Sequence, residues 1–176
     1  SNNAYLTGYT TSNDFPTQNA YDSSLGSTQD VFVTKINPAL SGAASLIYST
    51  YLGGDNSYET GYGIAVDSAN QACVTGYTFS NDFPTQNAYD SSYNGSNEVF
   101  VTQLSSSGNS LVYSTYLGSA TSTISDYGYG IALDDSDDIY VTGYTRGTDF
   151  PTKNAYDTTR GGTQDAFVAK FDPSLS

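Results

Sequence analysis

The chain repeats one set of sequence blocks nearly three times. The longest block reads GYTTSNDFPTQNAYD from Gly8, GYTFSNDFPTQNAYD from Gly76 and GYTRGTDFPTKNAYD from Gly143. Shorter blocks keep the same spacing of about 67 residues, such as LIYSTYLG from Leu46 and LVYSTYLG from Leu111. A fixed long period is the signature of a repeat architecture, in which each repeat is one supersecondary unit. The period therefore constrains the fold more strongly than local propensity does.

Each repeat contains four blocks that are typical of short β-strands. In the repeat that begins at Gly61 they read GYGIAVD, ACVTGYT, EVFVTQL and LVYSTYLG, and polar turns rich in Gly, Ser and Asn separate them. β-Branched and aromatic residues favour strands, and bounded apolar runs of this length predict them. No sustained i, i+3, i+4 apolar pattern predicts a helix.

The strands carry bulky side chains on both faces, as in Val31, Phe32 and Val33. A sheet that is apolar on both faces must be covered on both, and face-to-face stacking of four-stranded sheets around an axis gives a β-propeller. The first strand of the repeat alternates Gly61 and Gly63 with larger residues, which suits an innermost strand beside a crowded axis. A β-solenoid and a β-sandwich are the alternatives.

The prediction is therefore an all-β fold, a β-propeller-like array of four-stranded antiparallel blades with ten strands, about 2.5 blades in all. We expect residues 1–60 to hold a partial blade (strands 2 to 4) with a linker, 61–127 a complete blade with a linker, and 128–176 a partial blade (strands 1 to 3).

The end sheets of such an array expose strand edges and apolar faces, which are aggregation hazards. We expect further repeats of the same chain or copies of itself to cover them, so that the 176 residues do not occur as a free monomer. The strand residues expected at the covered surface include Ile139, Val141, Phe167 and Val168.

The blocks GYGIAVDSANQACVTGYT, DVFVTK and LIYSTYLGG also resemble the bacterial β-propeller repeat family called SBBP. The first strand pair is similar to NHL-type blades. The resemblance covers essentially the whole chain. It implies a large secreted or cell-surface protein of many repeats, in a family mostly without assigned activity, and it brings no catalytic residues with it.

The charge balance limits the classes of partner. With 18 acidic residues, 5 basic residues and no His, the net charge is −13. Binding to nucleic acid or to anionic membranes depends on Lys and Arg, so we expect neither. No apolar stretch approaches 20 residues, so no membrane insertion is expected. The charge is compatible with divalent cations, basic partners or a solvated surface.

Acidic and aromatic residues that recur in every repeat are the candidate site residues. In the DFPT motif, the acid is expected to form a turn and the ring to anchor the long loop to the blade. These loop anchors are Asp14, Phe15, Asp82, Phe83, Asp149 and Phe150.

A second set of acids brackets a Gly- and hydroxyl-rich segment in each repeat. The pairs are Asp22 with Asp30, Asp90 with Glu98, and Asp157 with Asp165. Oxygen donors on a flexible loop are the ligands that Ca²⁺ prefers, whereas Zn²⁺ draws on Cys and His. The sequence predicts that any bound metal is Ca²⁺ at these loops. The alternative is a loop closed by an Asx turn and capped by the acid that begins the next strand.

The 17 Tyr residues and the single Cys have structural and functional readings. Tyr48, Tyr51, Tyr113 and Tyr116 lie in fourth strands, where they could pack between blades with solvated hydroxyls or form an exposed rim for glycans or surface proteins. Cys73 is expected to be a packed strand residue, since no His is present to activate its thiol.

No singular pair of carboxylates indicates a glycosidase. We therefore expect a non-catalytic secreted or cell-surface module for binding, adhesion or spacing. The alternatives are a structural subunit that polymerises through open blade edges into a filament or sheath, and a fragment of a carbohydrate-active enzyme.

Overall fold

The computed structural model of the chain describes residues 2–121 and 123–172. Its regular elements are ten strands of seven or eight residues and one short 3₁₀ helix, Gly42–Ser45. The strands are β1 Ala4–Thr10, β2 Asp30–Ile36, β3 Leu46–Leu52, β4 Glu59–Val66, β5 Ala72–Thr78, β6 Glu98–Leu104, β7 Leu111–Leu117, β8 Tyr127–Leu133, β9 Ile139–Thr145 and β10 Asp165–Phe171.

The ten strands form three antiparallel sheets of three, four and three strands. Their orders are β1-β2-β3, β4-β5-β6-β7 and β8-β9-β10, so every strand pairs with its neighbour in sequence. This arrangement confirms the predicted all-β fold with an incomplete set of four-stranded blades. The middle sheet is the complete blade, and in the described residues the first sheet lacks the counterpart of β4 while the third lacks that of β7.

The blades pack face to face, with the first strand of each blade against the second strand of the blade before it. β4 lies against β1, and β8 lies against β5 and β4. The approach is close at two equivalent glycines: a Cβ at Gly61 would lie 2.6 Å from the Thr7 hydroxyl, and one at Gly128 would lie 2.6 Å from that of Thr75. Any larger residue would push the blades apart, which explains why glycine recurs here.

The core is divided into two layers, one between each pair of blades. The middle sheet faces the first blade with Val74 and Phe100 and the third blade with Val99 and Val101, all fully buried. Strand β6 is accordingly buried along its whole length. The two-sided apolar pattern of the sequence thus corresponds to a sheet covered on both faces.

The outer face of the third sheet is exposed and apolar. Val168 is 77% exposed, whereas its equivalents in the other blades, Val33 and Val101, are 0% exposed. Ile139, Val141 and Phe167 were expected on this end surface, but the middle blade already covers them. Of those four residues, Val168 alone belongs to the exposed face.

Candidate functional site

The three longest connections lie at one end of the blades. Loops 11–29, 79–97 and 146–164 join the second and third strands of each blade, and the linkers that follow β3 and β7 lead to the next blade. The opposite end carries the connections from the first to the second strand and from the third to the fourth strand. Loops with repeated polar residues on a rigid scaffold are the usual place for function, so the linker end is the candidate site.

The three DFPT aromatic rings occupy equivalent positions. Phe15 packs on Phe32, Phe83 on Phe100 and Phe150 on Phe167, with ring centroids 5.0, 4.9 and 4.6 Å apart. Phe83 is buried at 3% exposure, while Phe15 and Phe150 are half-buried. The rings therefore hold each long loop against the third strand of its own blade.

The DFPT acids connect the long loop to the linker before the blade. Asp82 Oδ2 accepts a hydrogen bond from the Asp55 amide at 3.1 Å, and Asp149 Oδ2 accepts one from the Thr121 hydroxyl at 2.9 Å. Asp14 is exposed. The contact thus crosses a blade junction, whereas the sequence suggested a turn within the loop.

The fourth-strand tyrosines are buried, so they do not form an exposed rim. Tyr48, Tyr51, Tyr113 and Tyr116 have exposures of 0 to 3%. The Tyr51 hydroxyl donates to Ser12 O at 2.7 Å, and the Tyr116 hydroxyl donates to Ser80 O at 2.9 Å. These two hydroxyls bind the long-loop backbone, because that loop folds back over the fourth strand.

The acids at the two ends of each Gly-rich segment accept hydrogen bonds from its backbone. Asp22, Asp90 and Asp157 each accept from the amide two residues further on, at 2.8 to 2.9 Å, which is an Asx turn. Asp30, Glu98 and Asp165 accept from amides three or four residues before them, at 2.7 to 2.9 Å. This is the geometry expected of a loop that is closed by an Asx turn and capped by the acid that begins the next strand. Among the described residues, no group of three or more His, Cys, Asp or Glu side chains is arranged to hold a metal ion, so Ca²⁺ at these three loops stays a prediction.

Two of the strand-starting acids meet a second buried acid across a blade junction. We call the contact of the first and middle blades the first junction, where Asp30 meets Glu59, and that of the middle and third blades the second junction, where Glu98 meets Asp126. All four side chains are at most 1% exposed. Asp165 is half-buried, and within the described residues no later blade supplies a partner acid.

At the first junction the two carboxyls approach across Gly53. A Cβ at Gly53 would lie 2.6 Å from Asp30 Oδ1 and 2.7 Å from Glu59 Oε2. Asp30 Oδ2 binds the Gly26 amide and Glu59 Oε1 binds the Thr78 hydroxyl, but the two oxygens beside Gly53 have no hydrogen-bond partner.

Burial raises the pKa of Asp30 to about 6 and that of Glu59 to about 7, since the charged forms lose hydration. The Ser80 hydroxyl and the Gly54 amide approach Glu59 and partly offset the rise in its pKa. Even so, Glu59 Oε2 has no hydrogen bond of normal geometry. The first junction therefore contains two buried acids with unsatisfied oxygens.

The second junction also places two buried acids together, but there both carboxylate oxygens of one acid have hydrogen-bond partners. Asp126 accepts hydrogen bonds from the Ser119 amide at 2.7 Å and the Arg146 amide at 3.3 Å. Glu98 Oε1 binds the amides of Asn94 and Gly95, while its Oε2 has no partner. Burial raises the pKa of Glu98 to about 7.

A group of tyrosines on the first and second strands forms a partly exposed surface near the same end. We call it the tyrosine surface, and its members are Tyr9, Tyr62, Tyr77, Tyr127, Tyr129 and Tyr144. Tyr62 and Tyr129 occupy equivalent positions in neighbouring blades, with ring centroids 5.0 Å apart and exposures of 48% and 45%. Tyr77 contacts Tyr127 at 4.8 Å, and Tyr127 contacts Tyr144 at 5.0 Å.

The chemistry of the tyrosine surface combines ring faces with hydroxyl groups. Partial burial and the neighbouring tyrosines raise the pKa of Tyr129 to about 12, so its hydroxyl stays protonated and can donate. Arg146 lies over the Tyr144 ring at 5.5 Å, so one ring already accepts a cation. Sequence reasoning missed this surface, although the repeated GYG and TGYT motifs that supply it were visible.

Cys73 is fully buried in the layer between the middle and third blades. Burial, with smaller contributions from Asp67 and Asp137, raises the pKa of its thiol to about 12. The thiol is therefore unreactive, as expected of a packed strand residue.

The comparisons with known proteins agree with this geometry. Residues 47–84 and 112–151 match the SBBP family, which is described as a beta-propeller repeat. Each matched segment runs from a fourth strand through the linker and the next two strands to the DFPT motif, so each spans one linker between blades. No curated protein matches the chain.

None of the helices in the described residues has the length and apolar character needed to cross a membrane. Two segments of the chain are thus similar to β-propeller repeats of the SBBP family, and the three sheets are arranged as the blades of such an array.

Proposed function

We propose that the chain is a non-catalytic module, secreted or on the cell surface, that binds a glycan or surface-protein partner through the tyrosine surface. The observation that carries the proposal is the pair Tyr62 and Tyr129, two half-exposed rings in contact on neighbouring blades. Soluble proteins seldom expose contiguous aromatic area without a function, and tyrosine offers an apolar face together with a polar tip.

The repeat itself supports a role in binding. Two strand positions supply five of the six rings, one as Tyr62 and Tyr129 and the other as Tyr9, Tyr77 and Tyr144, so adding blades extends the surface without changing the fold. Ring faces stack on apolar ligand faces, while hydroxyls supply directional hydrogen bonds. Such a surface suits a ligand with alternating apolar and polar groups, as a sugar chain has.

Glycan-array binding with purified protein tests the proposal. The double variant Tyr62→Ala, Tyr129→Ala should lose at least tenfold in affinity for any glycan that the wild type binds. Tyr156→Ala is the matched control, because Tyr156 is the most exposed ring of the described residues and lies on the loop 146–164, not on a first or second strand. Equal binding by all three proteins would refute a role for the tyrosine surface. Should no glycan bind, loss of adhesion to cells in the double variant but not in the control would indicate a protein partner.

A second candidate function is a structural subunit that assembles through its end sheet. It rests on Val168, which is 77% exposed where Val33 and Val101 are buried by the next blade. Ala132 and Tyr140 lie on the same face, since Ala132 pairs with Tyr140 and Val168 pairs with Thr142. A further blade, from the same chain or from another copy, would cover this face as β4 covers β1.

Sedimentation tests this assembly role. The wild-type chain should sediment as a concentration-dependent oligomer, and Val168→Lys should shift it toward monomer without changing the thermal unfolding midpoint. A wild-type chain that stays monomeric at every concentration would exclude self-assembly through this face.

A further inference from the structure

The first junction contains more negative charge than its surroundings neutralise. Asp30 and Glu59 are buried beside Gly53, and the carboxyls of Asp22 and Asp55 contribute to the raised pKa of Asp30. Asp82 lines the depression above them, together with Asp22 and Asp55.

The contacts of four basic side chains lie away from these two acids. Lys170 pairs with Asp138 and Asp134 at the opposite end of the third blade, and Lys35 bonds to Ser106 O. Arg146 lies over Tyr144, and Arg160 binds the backbone of its own loop. An ionised carboxylate buried without a partner is costly, so two such groups side by side call for a counter-ion or a proton.

The two unsatisfied oxygens define where a counter-ion would bind. Asp30 Oδ1 and Glu59 Oε2 are each fully buried, have no hydrogen-bond partner, and face the same point beside Gly53. The other oxygen of each carboxyl is occupied by the Gly26 amide or the Thr78 hydroxyl, which fixes the orientation of both side chains.

We propose that the first junction is a Ca²⁺ site in which Asp30 and Glu59, from adjacent blades, bind the ion together. The all-oxygen donor set suits a hard cation, and Ca²⁺ accepts irregular geometry with backbone carbonyls and water completing its coordination. The partner of Asp30 at this site is Glu59, across the junction, and not Asp22 within the loop. The ion would join two blades, so binding would stabilise their packing.

The second junction is a natural control within the same chain. There Asp126 already receives two amide hydrogen bonds, so a single unsatisfied oxygen, that of Glu98, is left. Ala120 replaces Asp55 in the linker. We therefore expect one strong site per chain, at the first junction.

The test is calorimetric titration of CaCl₂ into the intact protein after treatment with EDTA, with MgCl₂ at equal ionic strength as the comparison. One Ca²⁺ should bind per chain, and Glu59→Gln should weaken binding at least tenfold. Glu98→Gln and the exposed-turn variant Asp135→Asn should bind as wild type does. In thermal unfolding, Ca²⁺ should raise the midpoint of the wild type but not that of Glu59→Gln.

Glu59→Gln keeps the side-chain volume and removes a buried charge, so it should fold in EDTA at least as well as the wild type. Absence of Ca²⁺ binding to the wild type would overturn the proposal and leave a proton as the counter-ion of the two acids. An equal loss of binding in Asp135→Asn would also overturn it, because binding would then reflect general surface charge.

Discussion

The two blade junctions place acids and small residues at equivalent positions but exchange them in pairs. The first junction has Asp30 opposite Glu59, and the second has Glu98 opposite Asp126, so each contains one short and one long acid in opposite order. A second exchange involves small residues. Gly54 packs against Ser80 at the first junction, and at the second the equivalent positions are Ser119 and Gly147.

Each exchange keeps the filled volume of the junction constant. A Cβ at Gly54 would lie 2.7 Å from Ser80 Cβ, and one at Gly147 would lie 1.8 Å from the Ser119 hydroxyl oxygen. Only one member of each pair can therefore carry a side chain. Compensation of this kind indicates that residues from neighbouring blades share one closely packed space, so their substitutions should be strongly coupled.

The largest expected effect is a loss of stability when an anchor ring is removed, and its size should differ among the three blades. Phe83→Ala should lower the free energy of unfolding by about 3 kcal/mol, because the ring is fully packed on Phe100. Phe15→Ala and Phe150→Ala should cost about half as much, since those rings are half-buried. Urea denaturation of the three variants measures the difference. Equal losses at all three sites would mean that exposure does not determine the strength of the anchor.

A smaller loss of stability is expected when the exchange of Gly54 and Ser80 is broken. Gly54→Ser should cost about 2 kcal/mol, because the new side chain would meet Asp82 Oδ1 and Ser80 Cβ. Adding Ser80→Gly should restore most of this loss, since the double variant reproduces the second junction. Urea denaturation measures the free energy of unfolding of the single and double variants. If the loss in the double variant equals the sum of the losses in the two single variants, the junctions are not equivalent.

A further expected effect is a dependence of stability on pH in the presence of EDTA. Burial raises the folded-state pKa of Glu59 and of Glu98 from 4.5 to about 7. Between these values the unfolded chain is ionised while the folded chain keeps its protons, so stability should fall as the pH rises from about 4.5 to about 7. Thermal unfolding across this range measures the effect, and Glu98→Gln should reduce it. A midpoint that rises over the same range would contradict the burial of neutral acids.

The strands and their grouping into blades could be predicted from sequence because their causes are local or periodic. The blocks from ACVTGYT to LVYSTYLG carry the β-forming residues of one blade, and the recurrence of those blocks fixes the number of strands. Two-sided apolar runs such as Val31 to Val33 indicated sheets covered on both faces.

The junctions could not be predicted in the same way, because their contacts join residues of different blades. Spacing along the chain pairs Asp30 with Asp22, whereas the buried acid that shares the space beside Gly53 with Asp30 is Glu59, beyond a fourth strand and a linker. The fourth-strand tyrosines were placed with solvated hydroxyls because the sequence does not reveal that the long loop returns to cover Tyr51 and Tyr116.

The most direct test of the shared junction space is the exchange of the two acids at the first junction. Asp30→Glu alone places two long acids in a space shaped for one, and Glu59→Asp alone leaves it underfilled. Each should destabilise the protein by about 1 to 2 kcal/mol. The double variant reproduces the Glu98 and Asp126 pair of the second junction, so it should regain nearly wild-type stability, with a coupling energy of at least about 1 kcal/mol in urea denaturation. Purely additive losses would contradict a common space for the two carboxyls.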